Sequence, residues 1–358
     1  MTRWNHQTAL TKIQSVLIVV VIVAVAAIGS FAYLQQATPT TTTSSLNALV
    51  QQANQEGSVT IYTVITTSAI QAIITAFNKQ YPLIKVNYYS GSSNDVLTKV
   101  QSEAQGGINS VDVIENNYLE QIPLQNSSLI TSYVPPEAAN ISAADTIPNY
   151  CYGALNYAVA LLYNTNQVKA SELPSTWWQL VQNTSWTGHI GMGDPTVHFT
   201  TTQWLLALRS LYGNNWTSFL QSLSALKPSF YHSMTPDAGA VAAGSIELGI
   251  GLASDGATLS GQGAPIAVKF LQPTLKFDAY VCLATKAPHP AAAKLLMNFM
   301  LSQTGQQAEA NVGDQMVRTD VSSPFAAEMA SIHPIVFGQQ SIANVTSAQQ
   351  TTMKQIFG

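Results

Sequence analysis

The sequence predicts an α/β protein of two lobes, preceded by one membrane-spanning helix. Three observations lead there: strand-like and helical stretches alternate from residue 58 onward, the chain has 358 residues, and the run "VLIVVVIVAVAAIGSFAYL" from Val16 to Leu34 carries no charge. A chain of this length is long for one hydrophobic core and comfortable for two. As a helix, the uncharged run spans about 30 Å, enough to cross a bilayer.

Arg3 and Lys12 precede that run, and no charge follows until Glu56. Positive residues stay inside, so residues 1–12 are expected in the cytoplasm, 13–35 in the membrane, and the remainder outside. A cleaved signal peptide is the competing reading. The long apolar region and the lack of a clear small-x-small cleavage site favour a retained helix. No cysteine directly follows the run, which removes a lipoprotein anchor. Residues 36–46, with "ATPTTTTSS" at their centre, read as an extended Thr/Ser-rich stalk. Five N-x-S/T sequons, at Asn126, Asn140, Asn183, Asn215 and Asn344, mark glycosylation sites on an exterior domain.

The outer domain opens with "SVTIYTVI" (58–65), an alternating strand, and "TSAIQAIITAFNKQYP" (67–82), a helix that stops at its proline. A strand "IKVNYYS" (84–90), a helix "NDVLTKVQSEAQ" (94–105) and a strand "SVDVIEN" (110–116) continue the alternation. Such a series predicts a parallel sheet with helices on both faces. A second α/β lobe follows: strands at 154–165, 188–196, 246–254 and 276–286, and helices at 172–182, 200–213, 216–228 and 237–245. Residues 289–313 supply one or two more helices, entered at His289-Pro290. Trp177, Trp178, Trp204 and Trp216 fall at core positions of these helices.

Ligands of open α/β sheets sit beyond the carboxyl ends of the strands. Those ends here read Thr66-Thr67-Ser68, Gly91-Ser92-Ser93-Asn94 and Glu115-Asn116-Asn117, each opening the next helix. Hydroxyls and amides at such termini can face a ligand, although each set also serves as an ordinary helix cap. Asp194, Thr196, Ser254 and Asp255 close strands of the second lobe in the same way. Asp194 and Asp255 also suit turns, ahead of Pro195 and Gly256. Tyr280 lies on a later strand, open to hinge packing or ligand contact.

Composition narrows the function. Charged residues make up 9% of the chain, against roughly 25% in ordinary soluble domains. Ser, Thr, Asn and Gln must therefore form the polar surface, and they keep their hydration when carboxylates protonate, which points to an acidic exterior. A net charge of −4 without any Lys/Arg cluster excludes a nucleic-acid footprint. The six histidines show no HxH or HExxH spacing, so neither a metal centre nor another cofactor is expected. Cys151 and Cys282 are too far apart for a local metal knuckle. They read either as a bridge in an oxidising exterior or as two buried thiols.

The segments "YNTNQVKASELPSTWWQL", "WTGHIGMGDPT", "GAPIAV", "KAPHPAAAKLLMNFMLSQTGQQ" and "VGDQMVRTDV", in this order, resemble the ferric-type solute-binding proteins of ABC transporters. The resemblance covers roughly residues 57–322. It implies a type 2 periplasmic-binding fold, with two α/β lobes joined by a two-strand hinge and the ligand held between them. Lobe 1 would comprise 47–156 with 279–330, lobe 2 residues 157–278, and 331–358 a C-terminal helical segment. Because the crossing strands lie side by side in that fold, Cys151 and Cys282 would staple the hinge.

Ferric-binding members hold iron through tandem tyrosines, at positions that fall here on Ser254 and Asp255. One carboxylate among neutral groups is a poor Fe³⁺ site. The expected ligand is instead a small polar organic solute, a sugar or polyol or an organic cation, passed to an ABC permease by a monomeric receptor. A phosphate-bearing solute or oxyanion is the alternative, ferric iron a remoter one. The rival class is an anchored extracellular hydrolase using Asp194, Glu247 or Asp255; no nucleophile elbow or phosphate loop supports it.

Overall fold

The computed structural model describes residues 40–331, 335–336 and 347–358. The expected cytoplasmic head, the membrane helix at 13–35 and the sequon at Asn344 lie outside the described residues. None of the described helices is long and apolar enough to cross a membrane. The chain divides after Gln51 into two units, and the second, Gln52–Gly358, holds all of the described strands. Helix α1 (Thr40–Glu56) runs across that division, so residues 40–46, expected as extended stalk, are helical. Ala53 is buried at its C-terminal end. There Glu56 accepts hydrogen bonds from the Ala291 and Ala292 amides at 2.8–3.1 Å. Threonine lowers helix propensity by under about 0.7 kcal/mol per residue relative to alanine, so a helix held at its end propagates through such a tract.

Strands β1 (Ser58–Thr63), β2 (Lys85–Ser90) and β3 (Val113–Asn117) alternate with α2 (Thr67–Gln80), α3 (Ser93–Gln105) and α4 (Tyr118–Asn126). Helix α4 is absent from the sequence expectation, because Pro123 interrupts its pattern. The chain then enters β4 (Cys151–Asn164), buried along nearly its whole length. Such continuous burial, without alternation, marks a strand covered on both faces. Beyond it come α5 (Trp177–Gln182), β5 (Ile190–Gly193), α6 (Phe199–Tyr212), α7 (Trp216–Ala225) and β6 (Ser229–Tyr231). Helix α8 (Met234–Ala242), β7 (Leu248–Leu252), α9 (Ala253–Gly261) and β8 (Ile266–Lys269) lead to β9 (Leu275–Ala284), and α10 (Pro290–Leu301) and α11 (Gln303–Ala310) follow.

The main path of the sheet runs β2-β1-β3-β9-β4-β7-β5-β6, with β8 beside β4. Pairing is parallel among β1, β2 and β3 and among β7, β5 and β6. The two long strands at the centre, β4 and β9, run antiparallel to each other and to their outer neighbours. They place Tyr157 opposite Phe277, Asn156 opposite Asp278 and Cys151 opposite Cys282. A disulfide joins that last pair, with 4.5 Å between the Cα atoms, the spacing of a non-hydrogen-bonded antiparallel pair. Thus the bridge expected between these strands is present, and the buried-thiol reading falls away.

Each flank has its own core. Trp177, Trp204, Phe219 and Leu220 are fully buried among α5, α6 and α7. Trp177 and Trp204 meet edge-on at 4.9 Å, a contact worth about 1 kcal/mol beyond burial. Helix α12 (Ser347–Phe357) contributes Met353 to the same core. Around β3, the disulfide packs with Ile114, Leu124 and Tyr280.

Candidate functional site

A cleft of about 560 Å³ opens at the carboxyl ends of the strands, lined from both flanks of the sheet. Helices α2, α3, α4, α6 and α8 begin at it. Thr66 caps α2, accepting from the Ala69 amide at 3.3 Å. Ser92 caps α3 in a reciprocal box with Asp95, whose carboxylate takes the Ser92 amide at 3.2 Å and its hydroxyl at 2.6 Å. Asn117 opens α4 without capping it; its Nδ2 donates to Ser93 Oγ at 2.7 Å, and its Oδ1 has no partner among the described residues.

From the other flank come His198 and Thr200 at the start of α6, and Ser233 and Thr235 at the start of α8. His198 Nδ1 lies 2.8 Å from Thr201 Oγ1. Gly193 lets α6 approach this closely, since a Cβ there would run into Thr201 Oγ1 and His198 Nδ1. Burial, and then His232, lowers the His198 pKa to about 4, so its ring is neutral above that pH. Tyr157, from β4, completes the floor.

Of the residues expected to touch ligand, Thr66, Thr67, Ser92, Ser93 and Asn117 line this cleft together. Asn116 is buried beside it, donating to the Ser93 carbonyl at 3.0 Å. Asp194 forms a turn, taking the Thr196 amide at 2.8 Å and its hydroxyl at 2.6 Å. Tyr280, on β9, is buried against Tyr118, with its hydroxyl 3.5 Å from Asp278. Ser254 and Asp255 lie in the first turn of α9, and Asp255 is hydrogen-bonded to Thr235 from outside the lining.

Sequence reading missed Tyr157, His198, Thr200, His232, Ser233 and Thr235. The signal existed: "VHFTTTQ" and "YHSMTPD" follow β5 and β6 just as the Ser/Thr sets follow β1 and β2. Asp194 and Thr196 drew attention one turn too early.

Buried acids surround Tyr157. Burial first, and then the neighbouring Glu115, Asp314, Glu309 and Asp255, hold its hydroxyl well above the ordinary phenol range, and that hydroxyl is shielded with no partner among the described residues. Glu115 takes a 2.5 Å hydrogen bond from Thr63 Oγ1. Burial pushes its carboxyl up to about 7. Burial does the same to Asp314, to about 7, with help from Asp255, and to Asp255 itself, to about 6. Burial also raises Glu309 and Asp237 well above the carboxylate range.

Iron fits this lining poorly. One tyrosine, Tyr157, and one carboxylate, the cap-engaged Asp95, are its anionic candidates. Among the described residues no group of three His, Cys, Asp or Glu side chains could hold a metal ion. A hydrolase would need a positioned nucleophile. Ser58 Oγ lies 3.1 Å from His289 Nε2, and His289 Nδ1 lies 3.0 Å from the buried Asp112. Beside this chain, however, the Ala291 and Ala292 amides at the start of α10 are bonded to Glu56, so they are not available to an oxyanion. Glu247, another of the expected acids, lies 3.0 Å from His189 Nδ1.

Comparison with known proteins agrees with this architecture. The family model "Bacterial extracellular solute-binding protein" matches residues 63–307, more than half of the chain. No curated protein sequence matches. The substrate-binding protein of an ABC transporter from Agrobacterium tumefaciens superposes with a TM-score of 0.73 at 15% identity, covering 84% of this chain and 93% of its own. Apo ferric ion-binding protein A of Pasteurella haemolytica gives 0.70 at 17% identity, with coverages of 84% and 98%. AfuA from Actinobacillus pleuropneumoniae, with fructose-6-phosphate bound, gives 0.64 at 18%, with coverages of 84% and 96%.

Proposed function

The chain belongs to the bacterial extracellular solute-binding proteins, and on that premise we propose that it captures a hydroxylated solute bearing a phosphate or carboxylate group and delivers it to an ABC permease. One observation carries this reading: helix N-termini from both flanks of the sheet meet at one cleft. Each helix start carries roughly half a positive charge and outward-facing amides. An anionic group there is held without any Lys or Arg in the lining. The Ser, Thr and Asn side chains beside it suit the hydroxyls of a sugar or polyol. Fructose-6-phosphate in AfuA has that combination.

An organic cation is less well served. Its expected counter-ion, Asp255, bonds Thr235 and is largely protonated below about pH 6. In this reading, lobe 1 (47–156 and 279–330) and lobe 2 (157–278) close over the solute while β4 and β9 absorb the rotation. Closure follows from the ligand's differential affinity for the closed form. The N-terminal run at 13–35 tethers the receptor outside the membrane, raising its effective concentration near the permease. No bond is made or broken in the cycle.

Thermal-shift screening of the purified protein at pH 5 tests the assignment. Sugar phosphates and hydroxy acids should raise the melting temperature by an amount that grows with the logarithm of concentration over Kd, whereas neutral sugars and polyamines should move it less. A larger shift with polyamines would replace this reading with the organic-cation one.

A further inference from the structure

A second groove, of about 570 Å³, shares no lining residue with the cleft. Its walls are Trp178, Leu211, Tyr212 and Pro273, with Thr176 and Gln272 on the polar edge and Asn215 completing the lining. Trp178 stacks on Phe219 at 5.6 Å and 18° and leans on Tyr212 at 5.4 Å. Leu211 is 40% exposed. The Tyr212 hydroxyl is shielded from solvent yet has no hydrogen-bond partner among the described residues. A volume within roughly 300–1,000 Å³, with aromatic walls and a few polar groups, has the character of a small-ligand site.

Asn215 begins the sequon Asn215-Trp216-Thr217. It sits just ahead of α7, with its side chain making no cap hydrogen bond. Asn215 and Thr217 are both exposed. By contrast, the sequon asparagine Asn183 caps a turn through Oδ1, and Asn140 donates to Glu137 at 2.9 Å. The family is extracellular, and an exposed Asn-x-Thr triplet on an exterior protein is a candidate acceptor.

We infer that Asn215 carries an N-linked glycan whose first sugars lie in this groove, stacked on Trp178 and against the Tyr212 ring. Aromatic faces take the apolar faces of sugar rings, while the edge residues Thr176 and Gln272 meet their hydroxyls. The occupant is covalently delivered, so at its high effective concentration a weak intrinsic affinity is enough to fill the groove. The glycan thereby covers an exposed aromatic patch on a protein with few surface charges.

The test uses the protein isolated from its own cells. Mass spectrometry of the peptide containing Asn215 should show a hexose-containing adduct, absent in Thr217→Ala and in Asn215→Gln. Hydroxyl-radical footprinting should then show oxidation of Trp178 and Tyr212 at least threefold higher in both variants. The buried Trp177 should be unchanged, and Asn183→Gln should behave as wild type. An unmodified Asn215 peptide would overturn the inference. So would an adduct whose loss leaves Trp178 and Tyr212 oxidation where it was.

Discussion

Replacing Asp255 by asparagine should make the protein more stable at pH 8 and leave it unaltered at pH 4. Asp255 is 6% exposed, with its Oδ2 unpartnered among the described residues. Burial, opposed by the Thr235 hydrogen bond, lifts its pKa from 3.8 to about 6. A folded-state pKa above the unfolded value means that the folded chain holds this proton more tightly. The stabilisation is therefore complete below about pH 4 and is lost as pH rises through about 6. A shift of roughly two units corresponds to about 3 kcal/mol. Asparagine keeps a polar group at the site but cannot ionise, so the variant escapes that loss. Urea denaturation at pH 4, 6 and 8 reads the difference directly, provided the m-values agree. The variant should gain up to about 3 kcal/mol over wild type at pH 8, and about two-thirds of that gain should appear between pH 4 and 6, the window between the unfolded and folded pKa values. An equal difference at all three pH values would refute the reasoning, because it would show that Asp255 titrates alike in both states. Glu115, Glu309, Asp314 and Asp237 are shifted in the same direction, so wild-type stability itself should fall from pH 4 to pH 8.

Other outcomes rest on particular contacts. Replacing both Cys151 and Cys282 by alanine opens a cross-link spanning 131 positions, and should lower unfolding free energy by about 2–5 kcal/mol in denaturant titrations. Ser92→Ala removes the capping box of α3. It should cost about 1 kcal/mol of stability and weaken solute binding, as read by calorimetry, whereas Ser92→Thr retains both. Gly193→Val drives a side chain into Thr201 and His198; the displaced start of α6 should lower solute affinity and cost about 1–3 kcal/mol in thermal melts. Trp177→Ala empties a fully buried site beside Trp204 and should destabilise by about 3–5 kcal/mol.

The α/β alternation was legible because each strand and helix carries its own periodicity, as in Ser58–Thr63 followed by Thr67–Gln80. The polar strand ends were equally plain on the first flank, and Thr66, Ser92 and Asn117 do meet at the cleft. On the second flank, local sequence was ambiguous. Asp194 and Asp255 look like presented carboxylates, but one is engaged in an Asx-type turn and the other faces Thr235. Which side of a helix start faces a cleft is decided by packing, here by Gly193 against Thr201, and no window of sequence encodes that contact. The acids around Tyr157 come from separate elements, Glu115 in β3, Asp255 in α9 and Glu309 in α11. Only the folded chain brings them together.

The most direct measurement is calorimetric titration, at pH 5, with a matched pair: a hexose phosphate and the same hexose without its phosphate. Helix N-termini that grip an anion predict at least tenfold tighter binding of the phosphorylated member, with the phosphorylated solute recovered chemically intact. Equal affinities, or tighter binding of the neutral sugar, would contradict the account.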